Sequence, residues 1–309
     1  MTPLLATSLR EEIGQAAILA LFLAVSAAIW AWIYARWQQG KPIIPLARRR
    51  PVPWQAQDVL FIFVIGLLLP IMATGAVRAW MGPEVAQQAA DQKPELAHPA
   101  EQLLRTGTPG EKAIAVAMAV IVAPLVEEFF FRVLLQGWLE AIWSRRRRKR
   151  PELRSASVSW LPIVLPAALF ALMHLRSGKE PLSKECLSVL FLAQIAADLI
   201  TLGLVIALLR FAAGATAADL GWKPEKVRSD AKLGLLALLA AIGPVLTLQF
   251  VLMGLVNWAR IDYAPDPIPL FFLALVLGFL YHRTHRLVPS LVLHMAFNAT
   301  AIVGVFAGQ

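Results

Sequence analysis

Three charged residues interrupt a long apolar stretch near the middle of the chain. Glu127, Glu128 and Arg132 lie inside the run from Ala113 to Trp143, where most side chains are apolar. Each charge at the centre of a membrane-spanning helix costs roughly 2.5 to 3.5 kcal/mol on insertion scales. Because charges in such places usually belong to a functional site, these three residues are the first candidates.

The spacing of the three charges divides them into a pair and a single carboxylate. Glu128 precedes Arg132 by four residues, which on a helix is the favourable order for an ion pair. Glu127 points about 100° away from Glu128 around the helix axis. A carboxylate in a pocket of low polarity suits a general base or acid. The alternative is a structural network in which all three charges hold helices together.

Two later apolar runs each contain a histidine, and one helical turn away lies a phenylalanine in the first run and an asparagine in the second. Phe170 and His174 share one face of a helix, and so do His294 and Asn298. An imidazole can bind a metal or donate a hydrogen bond to an oxyanion, and a carboxamide can also donate. The alternative for each pair is an ordinary hydrogen bond between helices.

Together these residues predict a hydrolase site with two alternative mechanisms. Glu127, His174 and His294 form a two-histidine, one-carboxylate set, which in hydrolases binds zinc and leaves a position open for water. Alternatively, Glu127 and His174 activate water without metal, while His294 and Asn298 hold the oxyanion. A different interpretation is a proton-coupled transporter, since buried carboxylates and histidines also relay protons. The sequence shows no inverted repeat that would favour a transporter.

The composition is that of a membrane protein. Of the 309 residues, 58% are hydrophobic and 16% are charged, and the mean hydropathy is +0.64, outside the balance of a soluble domain. The single cysteine, Cys186, excludes an internal disulfide and thiolate metal sites. The net charge of +9 is concentrated in short connections between apolar runs. This pattern predicts attraction to anionic lipid and not to nucleic acid.

The apolar runs predict an all-α bundle of about eight transmembrane helices. They cover residues 14–36, 57–80, 112–143, 157–175, 187–212, 232–258, 268–282 and 288–307. Alternate connections are basic and belong on the cytoplasmic side, so both termini are expected on the non-cytoplasmic side. Pro124 and Pro166 predict kinks close to the polar residues. His282 and His285 lie in a basic turn, where we expect solvated contacts with lipid headgroups.

The polar residues form three motifs that resemble those of a known family. The motifs are EExxxR, FxxxH and HxxxN, carried here by Glu127-Glu128-Phe129-Phe130-Phe131-Arg132, Phe170 to His174, and His294 to Asn298. In this order they are similar to the motifs of the CPBP family of intramembrane proteases (CAAX protease and bacteriocin-processing, or Abi). The resemblance covers about 111–176 and 265–309.

The resemblance implies a helix bundle with a buried site that hydrolyses peptide bonds within or beside the membrane. By the resemblance, Glu127 is the catalytic glutamate, Glu128 and Arg132 are its structural neighbours, and the other catalytic residues are His174, His294 and Asn298. The implied organisation is an N-terminal transmembrane pair with an extramembrane loop at 1–110 and a catalytic bundle at 111–309. The block at about 178–258 is an unusual two-helix insertion in that bundle.

We therefore predict an intramembrane metalloendopeptidase that uses a divalent metal, zinc, held by Glu127, His174 and His294. The expected partners are the lipid bilayer and membrane protein or peptide substrates, including lipidated, CAAX-like ones, and no nucleic acid. The expected location is the bacterial cytoplasmic membrane, as a multi-pass protein. The alternative within the same family is a catalytically silent binding or immunity-type protein.

Overall fold

The computed structural model describes residues 3–47, 51–82, 99–149, 160–175, 184–260 and 267–307. Over these ranges every regular element is a helix and no strand occurs. The predicted all-α bundle of transmembrane helices is therefore confirmed.

Nine helices, numbered here in chain order, follow one another along the described residues. They are α1 (Pro3–Gln38), α2 (Ala56–Met81), α3 (Pro99–Thr106), α4 (109–149), α5 (Leu161–Met173), α6 (Lys184–Phe211), α7 (Val227–Trp258), α8 (Pro267–Thr284) and α9 (Leu287–Ala307). A short 3-10 turn, Pro224–Lys226, leads into α7.

Among the described residues, seven helical segments are long and apolar enough to cross a membrane. They are Leu19–Gln38, Ala56–Met81, Pro109–Arg146, Leu187–Phe211, Pro224–Trp258, Pro267–Thr284 and Leu287–Phe306. The chain is thus an integral multi-pass membrane protein. The remaining predicted span, 157–175, contains the apolar helix α5, which has 13 residues, and the first residues of that run lie outside the described ranges. The side of the membrane on which each terminus lies stays a prediction.

Helix α4 changes its winding along its length. Most of it is α-helical, but Ala117–Val122 and Phe129–Gln136 form wider π turns. Such turns are rare and often occur at functional sites. The α-helical turn between them begins with Ala123 and Pro124 and contains both adjacent glutamates. The chain therefore changes its helical register on each side of the two adjacent glutamates.

The described helices form two compact units. The first unit comprises Met1–Trp54, Glu128–Arg176 and Ala215–Phe297. The second unit comprises Gln55–Glu127, Ser177–Gly214 and Asn298–Gln309. The boundary inside α4 falls between the two adjacent glutamates. The predicted division of the chain between residues 110 and 111 stays a prediction.

Each unit has its own apolar core. In the first unit, side chains of α7, α8 and α9 pack together, with the buried residues Leu238, Ile242, Val245, Leu273, Leu277, Leu280 and Leu293. In the second unit, side chains of α3, α6 and the start of α4 pack together, with the buried residues Leu103, Leu104, Ala115 and Leu187.

Close packing in the first unit depends on a glycine. Gln136, which is fully buried in α4, donates from Nε2 to the Gly278 carbonyl oxygen over 2.8 Å. A Cβ atom at position 278 would lie 3.0 Å from Ile163 Cγ2 and 3.2 Å from Gln136 Oε1. Small residues of this kind allow transmembrane helices to approach closely. Gly278 therefore sets the distance at which α8 passes α4 and α5.

Candidate active site

The ion pair predicted within α4 is present and fully buried. Arg132 Nε donates to Glu128 Oε2 over 3.3 Å, and neither side chain is exposed. The other carboxylate oxygen, Glu128 Oε1, lies 3.2 Å from Nδ1 of His294 on α9, whose side chain is only 4% exposed. Glu128 was predicted as a structural residue, and it also holds a predicted catalytic histidine.

The contact with Glu128 determines which nitrogen of His294 carries the proton. A carboxylate only accepts hydrogen bonds, so Nδ1 of His294 donates, and Nε2 of the neutral ring is an acceptor. A histidine whose Nδ1–H is held by a carboxylate is oriented to act as a base or as a metal ligand. When the ring is protonated, Nε2–H instead becomes a donor that can serve an oxyanion.

A backbone carbonyl holds Nδ1 of His174, as Glu128 holds Nδ1 of His294. At the end of α5, the backbone N–H of His174 donates to the carbonyl oxygens of Ala171 and Leu172. The Phe170 carbonyl oxygen, which would accept that N–H in a continuing α-helix, lies 2.8 Å from His174 Nδ1. Because a carbonyl oxygen only accepts, Nδ1 carries the hydrogen and Nε2 is the acceptor. The helix end thus sets the tautomer of this predicted catalytic residue.

The ring of Phe170 contacts both histidines. Its centroid lies 4.5 Å from that of His174 and 5.7 Å from that of His294. Arg132 Cζ lies 6.0 Å from the same ring, a distance at which a cation is attracted to an aromatic face. The ring is completely buried. The phenylalanine of the second motif is therefore the packing centre of the cluster formed by Glu128, Arg132, His174 and His294.

The second unit contains a carboxylate that the sequence analysis missed. Asp198 of α6 is 6% exposed and accepts a hydrogen bond of 2.9 Å from Gln194 Nε2. Its charge interacts with that of Glu127 in the same unit. A signal for this residue was present in the sequence, because an acidic residue in the apolar run 187–212 is as costly as Glu127.

Asn298 contacts the backbone of α4 in the second unit. Its Nδ2 donates to the Ala119 carbonyl oxygen over 2.8 Å. Of the predicted catalytic residues, His174 and His294 thus belong to the polar cluster of the first unit, whereas Glu127 and Asn298 belong to the second unit. The predicted role of Asn298 as an oxyanion donor stays a prediction.

Another polar cluster of the first unit surrounds Glu140. The carboxylate oxygens lie 3.1 Å from His282 Nδ1 and 3.2 Å from His285 Nδ1, and Gln136 Nε2 donates to Glu140 Oε1 over 3.0 Å. The two histidine side chains are 25% and 16% exposed. The protein supplies a carboxylate beside both histidines, and the expected contacts with lipid headgroups stay a prediction.

The predicted zinc site has two suitable donors in the first unit. His174 and His294 both present Nε2 as an acceptor, with Nδ1 held by another group, which is the usual form of a metal-binding histidine. The third predicted ligand, Glu127, belongs to the second unit. Among the described residues, no group of three His, Cys, Asp or Glu side chains is placed to hold a metal ion. The zinc site stays a prediction.

Comparison with protein-family models identifies the family of this chain. A model described as type II CAAX prenyl endopeptidase Rce1-like matches residues 109–219 and 231–300. The match covers more than half of the chain, all three motifs and most of the block 178–258. No curated protein and no solved structure gave a match. The chain therefore belongs to the Rce1-like family of type II CAAX prenyl endopeptidases.

Proposed function

We propose that this protein is an intramembrane endopeptidase whose substrates are membrane-associated peptides with a lipidated, CAAX-like end. Membership of a protease family supports peptide-bond hydrolysis as the reaction. The observation that carries the proposal is the buried contact of 3.2 Å between Glu128 Oε1 and His294 Nδ1. Apolar residues would pack a bundle at lower cost than a buried carboxylate and imidazole, so a chemical role accounts for them better.

In the proposed reaction, a water molecule attacks the carbonyl carbon of the scissile peptide bond. Glu127 accepts a proton from the water while the carbonyl electron pair moves to oxygen, which gives a tetrahedral intermediate with an oxyanion. Collapse of the intermediate re-forms the carbonyl and breaks the C–N bond. The proton held by Glu127 then passes to the leaving amine.

The remaining residues are proposed to bind water and stabilise the oxyanion. His174 can bind the attacking water because its Nε2 is an acceptor. Protonated His294 can donate from Nε2 to the oxyanion while Nδ1 stays on Glu128. Direct donation by Asn298 to the oxyanion is the alternative to a positioning role through Ala119, whose carbonyl oxygen accepts from Nδ2.

In the alternative, metal-dependent form of the proposal, a divalent metal, zinc, is the cofactor, and Glu127, His174 and His294 would be its ligands in place of the proton-acceptor and oxyanion-donor roles given above. When bound, zinc would make water a better nucleophile and polarise the substrate carbonyl. The two Nε2 acceptors support this ligand set, whereas no three-residue ligand group occurs among the described residues. The proton steps above therefore use only side chains of the chain itself.

A lipidated substrate is proposed because of how such a peptide would reach the protein. A prenyl chain anchors a peptide to the bilayer, since each buried CH2 group contributes about 0.8 kcal/mol. The peptide would then approach the transmembrane helices by diffusion within the membrane. The family model that matches this chain describes prenyl endopeptidases, which supports the same class of substrate.

The proposal is tested with purified protein in lipid nanodiscs and a CAAX peptide with or without a prenyl group. Glu127→Gln, His174→Ala and His294→Ala are each expected to lower cleavage to background without loss of membrane insertion. Glu101→Gln is the matched control, because this carboxylate lies in an exposed ion pair, and its cleavage rate is expected to equal that of the wild type. Retained cleavage in any of the first three variants would remove that residue from the site.

The same experiment separates the parts of the proposal. A folded wild-type protein that cleaves neither peptide would contradict the endopeptidase and favour the silent binding protein. Equal cleavage of the two peptides would overturn the lipid preference alone. Full activity in protein that contains no zinc and is insensitive to chelators would overturn the proposed cofactor alone.

A further inference from the structure

A carbonyl oxygen on α4 loses both of its usual helical donors just before the two adjacent glutamates. In a π turn, a backbone N–H donates to the carbonyl five residues back, and the N–H of Ala123 donates to Met118 in this way. The next residue, Pro124, has no N–H. The Ala119 carbonyl oxygen therefore has neither its α-helical donor, Ala123, nor its π-helical donor, position 124.

Asn298 supplies a donor to this carbonyl oxygen. Its Nδ2 lies 2.8 Å from the Ala119 oxygen, within the range of a good hydrogen bond. The two residues are separated by 179 positions and belong to the same unit. Because a backbone carbonyl within a membrane must be satisfied by the protein, Pro124 and Asn298 form a functional pair.

We propose that Asn298 is a positioning residue that maintains the π turn Ala117–Val122 and thereby fixes the direction of Glu127. A π turn contains one residue more than an α turn. Its conversion to α-helix would rotate every following side chain by about 100° around the axis. Glu127 lies three residues after Pro124 in the α-helical turn Ala123–Glu128, so its direction depends on the π turn.

This inference rests on the proposed function only where it assigns Glu127 as the base. The hydrogen bond between Asn298 and Ala119 and its link to Pro124 exist whatever the protein does. The loss of cleavage and the loss of stability in variants therefore test two different statements, and they are measured separately.

A double-mutant cycle between positions 298 and 124 tests the proposal. Asn298→Ala removes the donor to Ala119, and kcat is expected to fall about tenfold or more, because an unsatisfied buried acceptor is costly, with KM changed less than about twofold. Pro124→Ala restores a backbone N–H that can reach Ala119. In the Pro124→Ala background, Asn298→Ala is expected to lower kcat by less than about threefold.

Two control substitutions match these changes in chemistry. Asn257→Ala removes an exposed asparagine from α7 and is expected to leave kcat and Tm unchanged. Pro70→Ala restores a backbone N–H inside α2, in the same unit as Asn298. Combined with Asn298→Ala, it is expected to leave the loss caused by Asn298→Ala unchanged.

Thermal unfolding of the same variants gives a measurement that does not need a substrate. Asn298→Ala is expected to lower Tm, and Pro124→Ala is expected to remove most of that loss. This coupling is expected even if the wild type cleaves no peptide, so a failure of the proposed function does not affect it.

Three outcomes decide the inference. Asn298→Ala could cause the same losses of kcat and Tm in the wild type and in the Pro124→Ala background. That result would overturn the inference and leave Asn298 as a direct donor to the oxyanion. If Asn298→Ala does not fold but the double variant does, the coupling is demonstrated and the inference is supported. If neither Asn298→Ala nor the double variant Pro124→Ala/Asn298→Ala folds, Pro124→Ala has not restored the missing donor and the inference is overturned.

Discussion

Arg132→Met removes the cation of a fully buried ion pair and keeps a side chain of similar length. Glu128 Oε2 loses a donor at 3.3 Å, and Phe170 loses the cation 6.0 Å from its ring. Removing one partner of a buried pair costs roughly 3 to 5 kcal/mol, because the other charge stays buried without its counter-ion. We expect the free energy of unfolding to fall by about this amount.

The chain contains a matched control for this substitution. Glu101 and Arg105 are also four residues apart, with Nε and Oε1 separated by 2.9 Å, but their side chains are 32% and 42% exposed. Exposed helical pairs contribute only about 0.3 to 0.5 kcal/mol. At about 2 to 4 °C per kcal/mol, Arg105→Met is expected to lower Tm by about 1 °C, and Arg132→Met by roughly 10 °C.

Thermal unfolding followed by tryptophan fluorescence in one detergent gives the comparison. The double variant Glu128→Gln/Arg132→Met is expected to unfold at a higher temperature than Arg132→Met, because the remaining group is then neutral. Equal Tm shifts for Arg132→Met and Arg105→Met would refute the argument that burial of the Glu128–Arg132 pair makes its loss more destabilising. A double variant no more stable than Arg132→Met would show that the charge of Glu128 is not the cause.

Further predictions concern the packing and the polar contacts of the first unit. Gly278→Ala is expected to lower the free energy of unfolding by about 1 to 3 kcal/mol, because its Cβ would lie 3.0 Å from a methyl group of α5. Gly254→Ala, which has open space around it, is expected to be neutral or slightly stabilising in the same thermal assay. Gln136→Leu is expected to destabilise by about 1 to 3 kcal/mol, since it removes the donor to the Gly278 carbonyl, and an unchanged Tm would contradict this. Glu128→Gln is expected to lower kcat roughly 10- to 100-fold in the peptide assay because His294 loses its orienting carboxylate, and an unchanged kcat would contradict this role.

The membrane architecture could be predicted from hydropathy, because a span is a long apolar run and needs no knowledge of its neighbours. The runs at 57–80, 187–212 and 288–307 correspond closely to α2, α6 and α9. Hydropathy is less informative about where a helix ends. The predicted run 157–175 continues past α5, whose end is set by the backbone and ring contacts of His174.

The types of residue in the candidate site were predictable, whereas most of their partners were not. The pair Glu128–Arg132 follows from a local rule, because both residues lie one turn apart on one helix. The contact between Glu128 and His294 joins residues 166 positions apart, and no local spacing rule predicts it. The π turns of α4 add to the difficulty, because they shift the register that helical spacing assumes.

The contacts of Glu128 support the different chemical roles that we propose for the two adjacent glutamates. Glu128 faces Arg132 and His294 with its two carboxylate oxygens, so protonation of Glu128 would weaken an ion pair and a hydrogen bond at once. A group held in this way is poorly suited to gain and lose a proton in every turnover. Glu127, whose charge interacts with that of Asp198 in the second unit, is the residue that we propose as the base. Glu127→Gln should therefore abolish cleavage, whereas Glu128→Gln should leave a slow but measurable rate.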